Sequence, residues 1–167
     1  DVYKRQNINW TVNRNVIGGD IAPGGAAPTT YIGGNFSNQV EQSGIMFKSI
    51  VLSTIDSNII RNTVALSNQS NQFAGIRLEA FGEQGPDSAI LISKNFIYNI
   101  TTLTGQTIYG VRINLGTQDV RFIRLINNSI SSIRSIGAGT PNSVNNPAAV
   151  SIDAAGVVNN MGVIMYN

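Results

Sequence analysis

The sequence predicts an all-β fold, a single-stranded right-handed parallel β-helix of about four to five coils. Three observations carry that reading. An Asn recurs with fixed aliphatic neighbours, a second aliphatic marker falls between the recurrences, and Asn, Ser, Thr and Gly fill the places that charge takes in most domains.

The recurring residues are Asn15, Asn58, Asn95, Asn128 and Asn167, at spacings of 43, 37, 33 and 39 residues. Three positions earlier stand Val12, Ile55, Ile92, Leu125 and Ile164, and two positions later stand Ile17, Ile60, Ile97 and Ile130. The second marker reads GIMF from Gly44, GIRL from Gly75, GVRI from Gly110 and AVSI from Ala149. Its alternating apolar residues, Ile45/Phe47, Ile76/Leu78, Val111/Ile113 and Val150/Ile152, point to one face of a strand.

Each repeat therefore holds three short strands: one entering the Asn, one leaving it, and the G-I-x-L strand. Residues 82–88, 102–107 and 137–147 are rich in Gly, Pro, Asn, Ser and Thr and read as turns. Coils stacked about 4.8 Å apart place like residues on like. The aliphatic columns then fill the interior, where each fully buried Ile or Leu contributes roughly 1.5–3 kcal/mol. The Asn column sits at a bend, where an amide can donate to one neighbouring copy and accept from the other. Asn also tolerates the left-handed backbone that a tight bend requires. All five Asn are expected to be structural ladder residues. A β-sandwich is the alternative fold, and it leaves the aligned columns unexplained.

Residues 18–43, with three Gly-Gly pairs and two Pro, read as a long loop or a degenerate rung. The first six residues, DVYKRQ, resemble the in-frame translation of a sequencing-library adapter and are set aside from fold reasoning. The sequence stops at Asn167 in mid-repeat, without the cap that covers the last rung of a natural solenoid. The expectation is a β-helix segment over residues 7–167, truncated at both ends.

Composition excludes several classes. Charged residues make up 12% of the chain, about half the usual share, and a helical bundle would carry more on its surface. Abundant Ile and Val argue against disorder. A net charge of +2 without clustered Lys or Arg gives no reason to expect nucleic acid as a partner. There is no Cys for disulfides or thiolate metal sites, and no apolar run of the eighteen or so residues that a membrane span needs.

The strings INNSISSIR, SKNFIYNI and GVVNNMGVIMYN, with NVIGGD before a Gly-rich loop, resemble the pectin-lyase-like parallel β-helix repeats in large secreted proteins of Bacteroidota-type bacteria. The resemblance covers residues 7–167 and implies a parallel β-helix. It also implies an extracellular or cell-surface location, because such proteins are often exported by the type IX pathway.

Polysaccharide lyases and hydrolases share the β-helix fold, so catalysis has to be tested at a site. Hydrolysis of a glycosidic bond needs two converging carboxylates. Here Asp20, Glu41, Asp56, Glu79, Glu83, Asp87, Asp119 and Asp153 are scattered, and there is no His for acid–base work. Asp56 is followed in its column by Ser93 and Ile126, so no acidic ladder forms for a cation. No catalytic residue, metal ligand or cofactor is expected.

Arg77 and Arg112 share one place in the second marker and are expected to point outward, solvated, from adjacent rungs. Their mutual repulsion in water is only about 1 kcal/mol, and Glu79 can offset it. As a binding reading, these arginines would pair with a carboxylate of an acidic glycan, with Phe81 or Tyr109 as the stacking surface. Arg61 and Tyr98 share another column, where a guanidinium over the ring would add about 0.5–1 kcal/mol. Trp10 is expected at the end of the core. The Gly-Gly pairs match no phosphate loop, and the Asn-x-Ser/Thr sequons at Asn9, Asn35, Asn68, Asn99 and Asn127 read as incidental.

The functional expectation is a non-catalytic segment of a large secreted or cell-surface protein, serving as stalk, adhesin or glycan-binding surface. The alternative is a fragment of a polysaccharide lyase or glycoside hydrolase whose catalytic rungs lie elsewhere. The expected partner is a polysaccharide or cell-surface glycan, with the segment monomeric inside a longer chain.

Overall fold

The computed structural model describes residues 7–8, 10–19, 30–32, 42–48, 50–65, 73–79, 89–102, 107–116, 122–135, 147–154 and 163–166. The first rung holds β1 (Asn7–Ile8), β2 (Thr11–Asn13), β3 (Val16–Ile17), β4 (Thr30–Ile32) and β5 (Gln42–Lys48). The second holds β6 (Ile50–Val51), β7 (Thr54–Asp56), β8 (Ile59–Ala65) and β9 (Phe73–Glu79). The third holds β10 (Ala89–Ser93), β11 (Phe96–Thr102) and β12 (Ile108–Gly116), and the fourth β13 (Phe122–Ile126), β14 (Ser129–Ser135) and β15 (Ala148–Ala154). β16 (Val163–Tyr166) opens a fifth.

Each of the first four rungs visits three sheets in the same order, and β1 and β6 pair in a separate two-stranded sheet. The first sheet runs β2-β7-β10-β13-β16, the second β3-β8-β11-β14 with β4 also on β8, and the third β5-β9-β12-β15. All these pairings are parallel, which makes the fold a parallel β-helix. The three strands expected in each repeat are the three sheets.

The core is built from the predicted columns. Val12–Ile55–Ile92–Leu125 stack in the first sheet and Ile17–Ile60–Ile97–Ile130 in the second. Ile45–Ile76–Val111–Val150 and Phe47–Leu78–Ile113–Ile152 stack in the third. Members in the central rungs are buried, and Val12, Ile17, Ile130, Val150 and Ile152 at the ends pack partly against them. The Gly that opens the second marker leaves room for one of these columns. A Cβ on Gly75 would stand 2.7 Å from the Ile97 Cγ2 and 2.7 Å from the Gly110 carbonyl oxygen. In the fourth rung the same place is Ala149, which is exposed.

Three expectations change. The left-handed residue of the bend is not the Asn but the residue before it: Arg14 (φ 55), Ser57 (φ 55), Lys94 (φ 53) and Asn127 (φ 52). The bend turns first, and the Asn that follows can then aim its backbone and side-chain donors at the next rung. Second, β16 pairs Met165 with Leu125 and Ile164 with Arg124, one residue off the spacing predicted from Asn167. That register sets two apolar residues, Val163 and Met165, against Ile123 and Leu125, where the other would offer Gly162 and Ile164. Asn167 itself lies outside the described residues. Third, Trp10 is not in the core: it is 52% exposed and meets the Phe47 ring edge-on, with centroids 6.5 Å apart. Within residues 18–43, β4 extends the second sheet beyond β3 by pairing Tyr31 with Val64, and residues 20–29 and 33–41 lie outside the described residues.

Candidate functional site

The predicted ladder is present as a chain of amides running one way along the solenoid. Asn15 donates to the Asn58 Oδ1 through both its backbone N–H and its Nδ2, each at 3.0 Å. Asn58 does the same to Asn95, also at 3.0 Å, and Asn95 to Asn128 at 3.1 and 2.9 Å. The second Nδ2 hydrogen of Asn58, Asn95 and Asn128 goes to the carbonyls of Val12, Ile55 and Ile92 in the preceding rung, at 2.8–3.0 Å. Asn58 and Asn95, both 0% exposed, thereby use both donors and both acceptor lone pairs. The aliphatic-x-x-Asn spacing follows from this geometry, because each core aliphatic lends its carbonyl to the Asn of the next rung.

A second ladder lies four residues further on. Asn99 Nδ2 donates to Asn62 Oδ1 at 2.8 Å, and Asn62 Nδ2 to the Gly19 carbonyl at 2.7 Å. Here the ladder residues are themselves left-handed, Asn62 at φ 49 and Asn99 at φ 53, with Ser132 at φ 52 in the next rung. Sequence reasoning missed it, although the spacing from the first ladder is constant: Gly19, Asn62, Asn99, Ser132. Asn99 is therefore a structural residue rather than an open acceptor in its sequon.

The arginines of the third sheet are not solvated as expected. Arg77 and Arg112 do stack in register on adjacent rungs, but Arg77 is 0% and Arg112 9% exposed. All seven residues of β9 are buried, so both faces of that strand are closed to water. Burying a guanidinium costs several kcal/mol unless a carboxylate compensates it. Arg77 is ion-paired through Nε and Nη2 to the Glu79 Oε1, two residues along the same strand. Arg112 Nε donates to the Asp153 Oδ2 at 2.9 Å, and its guanidinium lies 5.4 Å from the Tyr109 ring centroid. Tyr109 thus supports the protein's own arginine. Phe81 lies outside the described residues.

On the second sheet, Arg61 and Tyr98 share a register position as predicted. Their contact is a long hydrogen bond from Arg61 Nη1 to the Tyr98 hydroxyl at 3.4 Å. The column beside them, Val16–Ile59–Phe96–Ser129, faces outward, with Val16 57% and Phe96 52% exposed. Phe96 was not singled out from the sequence. Period-two alternation against the inward Ile97 was the signal that could have found it.

At the first bend, Ser93 and Ser57 donate to the two oxygens of Asp56, the Ser57 bond at 2.8 Å. These bonds, with the charges of Lys94 and Arg14, hold the Asp56 carboxyl below the usual carboxylate range. Asp56 and Ser93 share a register position, and Ser93 in turn pairs with Ile126. Among the described residues no three His, Cys, Asp or Glu side chains gather as a metal site, and no helix is long and apolar enough to cross a membrane. No family model, curated protein or solved structure matches this chain.

Proposed function

We propose that the chain is a non-catalytic β-helical segment of a large secreted or cell-surface protein, a scaffold that carries a glycan-binding face. The observation that carries this reading is the engagement of the third-sheet arginines. The cations that would have to meet substrate in a lyase or hydrolase are held by Glu79 and Asp153. The polar groups of the first ladder are likewise spent on neighbouring rungs.

The test is a screen of acidic and neutral polysaccharides for new reducing or unsaturated ends. No product should form. Product that disappears in Arg112→Ala, in a variant whose melting curve shows it folded, would overturn the proposal in favour of a polysaccharide lyase or glycoside hydrolase.

A further inference from the structure

Among the described residues, charge is distributed unequally around the solenoid in a way the linear sequence hides. Among the described residues of the third sheet, the basic Lys48, Arg77 and Arg112 alternate with the acidic Glu79 and Asp153. On the first and second sheets and the bend between them, Arg14, Arg61, Lys94, Arg124 and Arg134 stand against the one described carboxylate, Asp56. Arg14, Lys94, Arg124 and Arg134 are exposed. Successive members lie 10 to 47 positions apart in the chain, so no run of basic residues announces the patch.

The same face carries the exposed apolar column. Phe96 and Tyr98, two apart on β11, point outward together, and Ser129 and Ser131 stand exposed beside them on the next rung. We propose that this face, from Arg124 on the first sheet across the Arg14–Ser57–Lys94–Asn127 bend to the Arg61–Tyr98 column, binds an anionic polysaccharide laid along the solenoid axis. The inference deepens the surface-protein reading by giving its glycan a place and a charge.

Three features select that occupant. The excess of cations among the described residues favours an anionic partner, and it disfavours a second copy of the chain docking through this face, since like charges would meet. The aromatic rings offer flat apolar area against which a sugar ring can stack, and the exposed Ser hydroxyls can exchange hydrogen bonds with sugar hydroxyls. The columns run along the axis with a step of about 4.8 Å per rung, so an extended chain laid along it meets Arg14 and Lys94 two rungs apart at the bend, with Phe96 and Tyr98 beside Lys94. The lowered Asp56 carboxyl, with Lys94 and Arg14 among its causes, is consistent with positive potential at the bend.

The experiment measures binding of the whole chain to heparin, alginate and polygalacturonate. Neutral dextran, single-stranded DNA and anionic phospholipid vesicles serve as comparisons. The variants are Phe96→Ala and the pair Lys94→Glu with Arg124→Glu, all at exposed positions and each checked for an unchanged melting curve.

The expected result is salt-sensitive binding to at least one acidic polysaccharide. The charge-reversed pair should weaken it about tenfold and Phe96→Ala about fivefold. Binding to DNA or vesicles as tight as to any polysaccharide, together with indifference to Phe96→Ala, would overturn the proposal in favour of a generic polyanion surface. Absence of binding to all three polysaccharides would also overturn it. Neither result forms product, so both leave the non-catalytic reading standing. Product formation sinks that reading whatever the binding result.

Discussion

The two bends of the second sheet solve one problem in different ways. At the first, conformation and hydrogen bonding are divided between neighbours. Arg14, Ser57, Lys94 and Asn127 take the left-handed backbone, and the Asn after each makes the ladder. At the second, Asn62 and Asn99 do both, being left-handed and laddered at once. The division has a consequence for sequence. A residue needed only for its amide has no substitute, so the first ladder is Asn in every described rung. Ser132 holds the left-handed conformation in the fourth rung without an amide, and in the first rung Gly19 joins the column only through its backbone carbonyl. The second column therefore varies at its ends, to Gly19 and Ser132.

The comparison is broken most strongly by deleting the amides. Asn95→Ala removes the acceptor of the Asn58 N–H groups and the donor to Ile55 and Asn128, all at a fully buried position. Each buried group left without its partner costs on the order of 1–3 kcal/mol, so the loss should reach about 3–5 kcal/mol. Asn99→Ala loses one ladder bond and puts Ala in a left-handed backbone, for about 2 kcal/mol. Equilibrium urea denaturation of the two variants should rank them in that order. Equal losses would mean that the two ladders carry equal weight and that the division of labour is not real.

The legibility of the chain follows the same logic. The four-rung Asn column and the aliphatic columns were readable because one residue type answers each position. The second ladder was not, because three residue types, Gly, Asn and Ser, stand at its position. The one-residue shift of β16 was hidden because its sequence, Val-Ile-Met-Tyr, is apolar at every position and so fixes no alternation. The outward direction of Arg77 could be inferred from its place between Ile76 and Leu78. Its burial could not, since alternation says which face a side chain occupies and nothing about what lies over that face. The basic face at the first bend was illegible for a further reason: its members come from different rungs and meet only when the rungs stack.

A sharper test of the division uses one substitution at both bends. Lys94→Gly relieves a left-handed backbone that costs a residue with a Cβ roughly 1–2 kcal/mol. It adds unfolded-chain entropy worth about 0.4–1 kcal/mol. The ladder through Asn95 is untouched, so the net change should be a gain of about 0.5 kcal/mol, read from the urea midpoint. Asn99→Gly keeps the conformation that Asn already tolerates but removes the bond to Asn62, and should lose about 1 kcal/mol. Opposite signs are the signature of split roles. The same sign at both positions would mean that the residue before the ladder Asn contributes through its side chain.

The smallest effect concerns Asp56, which ties the first bend of one rung to Ser93 of the next. Its carboxyl is held below the ordinary range because Ser93 and Ser57 donate to the ionised form, with Lys94 and Arg14 adding to the effect. A carboxyl depressed in the folded chain contributes stability that is fully present above its unfolded value, about 3.9, and is lost as pH falls through the lower folded value. Asp56→Asn should therefore be less stable than the parent at neutral pH, and the two should converge in acid. Because the carboxylate lies near solvent, added salt should shrink the charge-derived part of the difference while leaving the Ser bonds. Melting temperatures of both chains followed from pH 7 into the acid range, at low and high salt, report each part separately. Curves that stay parallel at every pH would show that Asp56 binds Ser93 and Ser57 no better as a carboxylate than Asn does as an amide. The bend would then be held by the ladder alone.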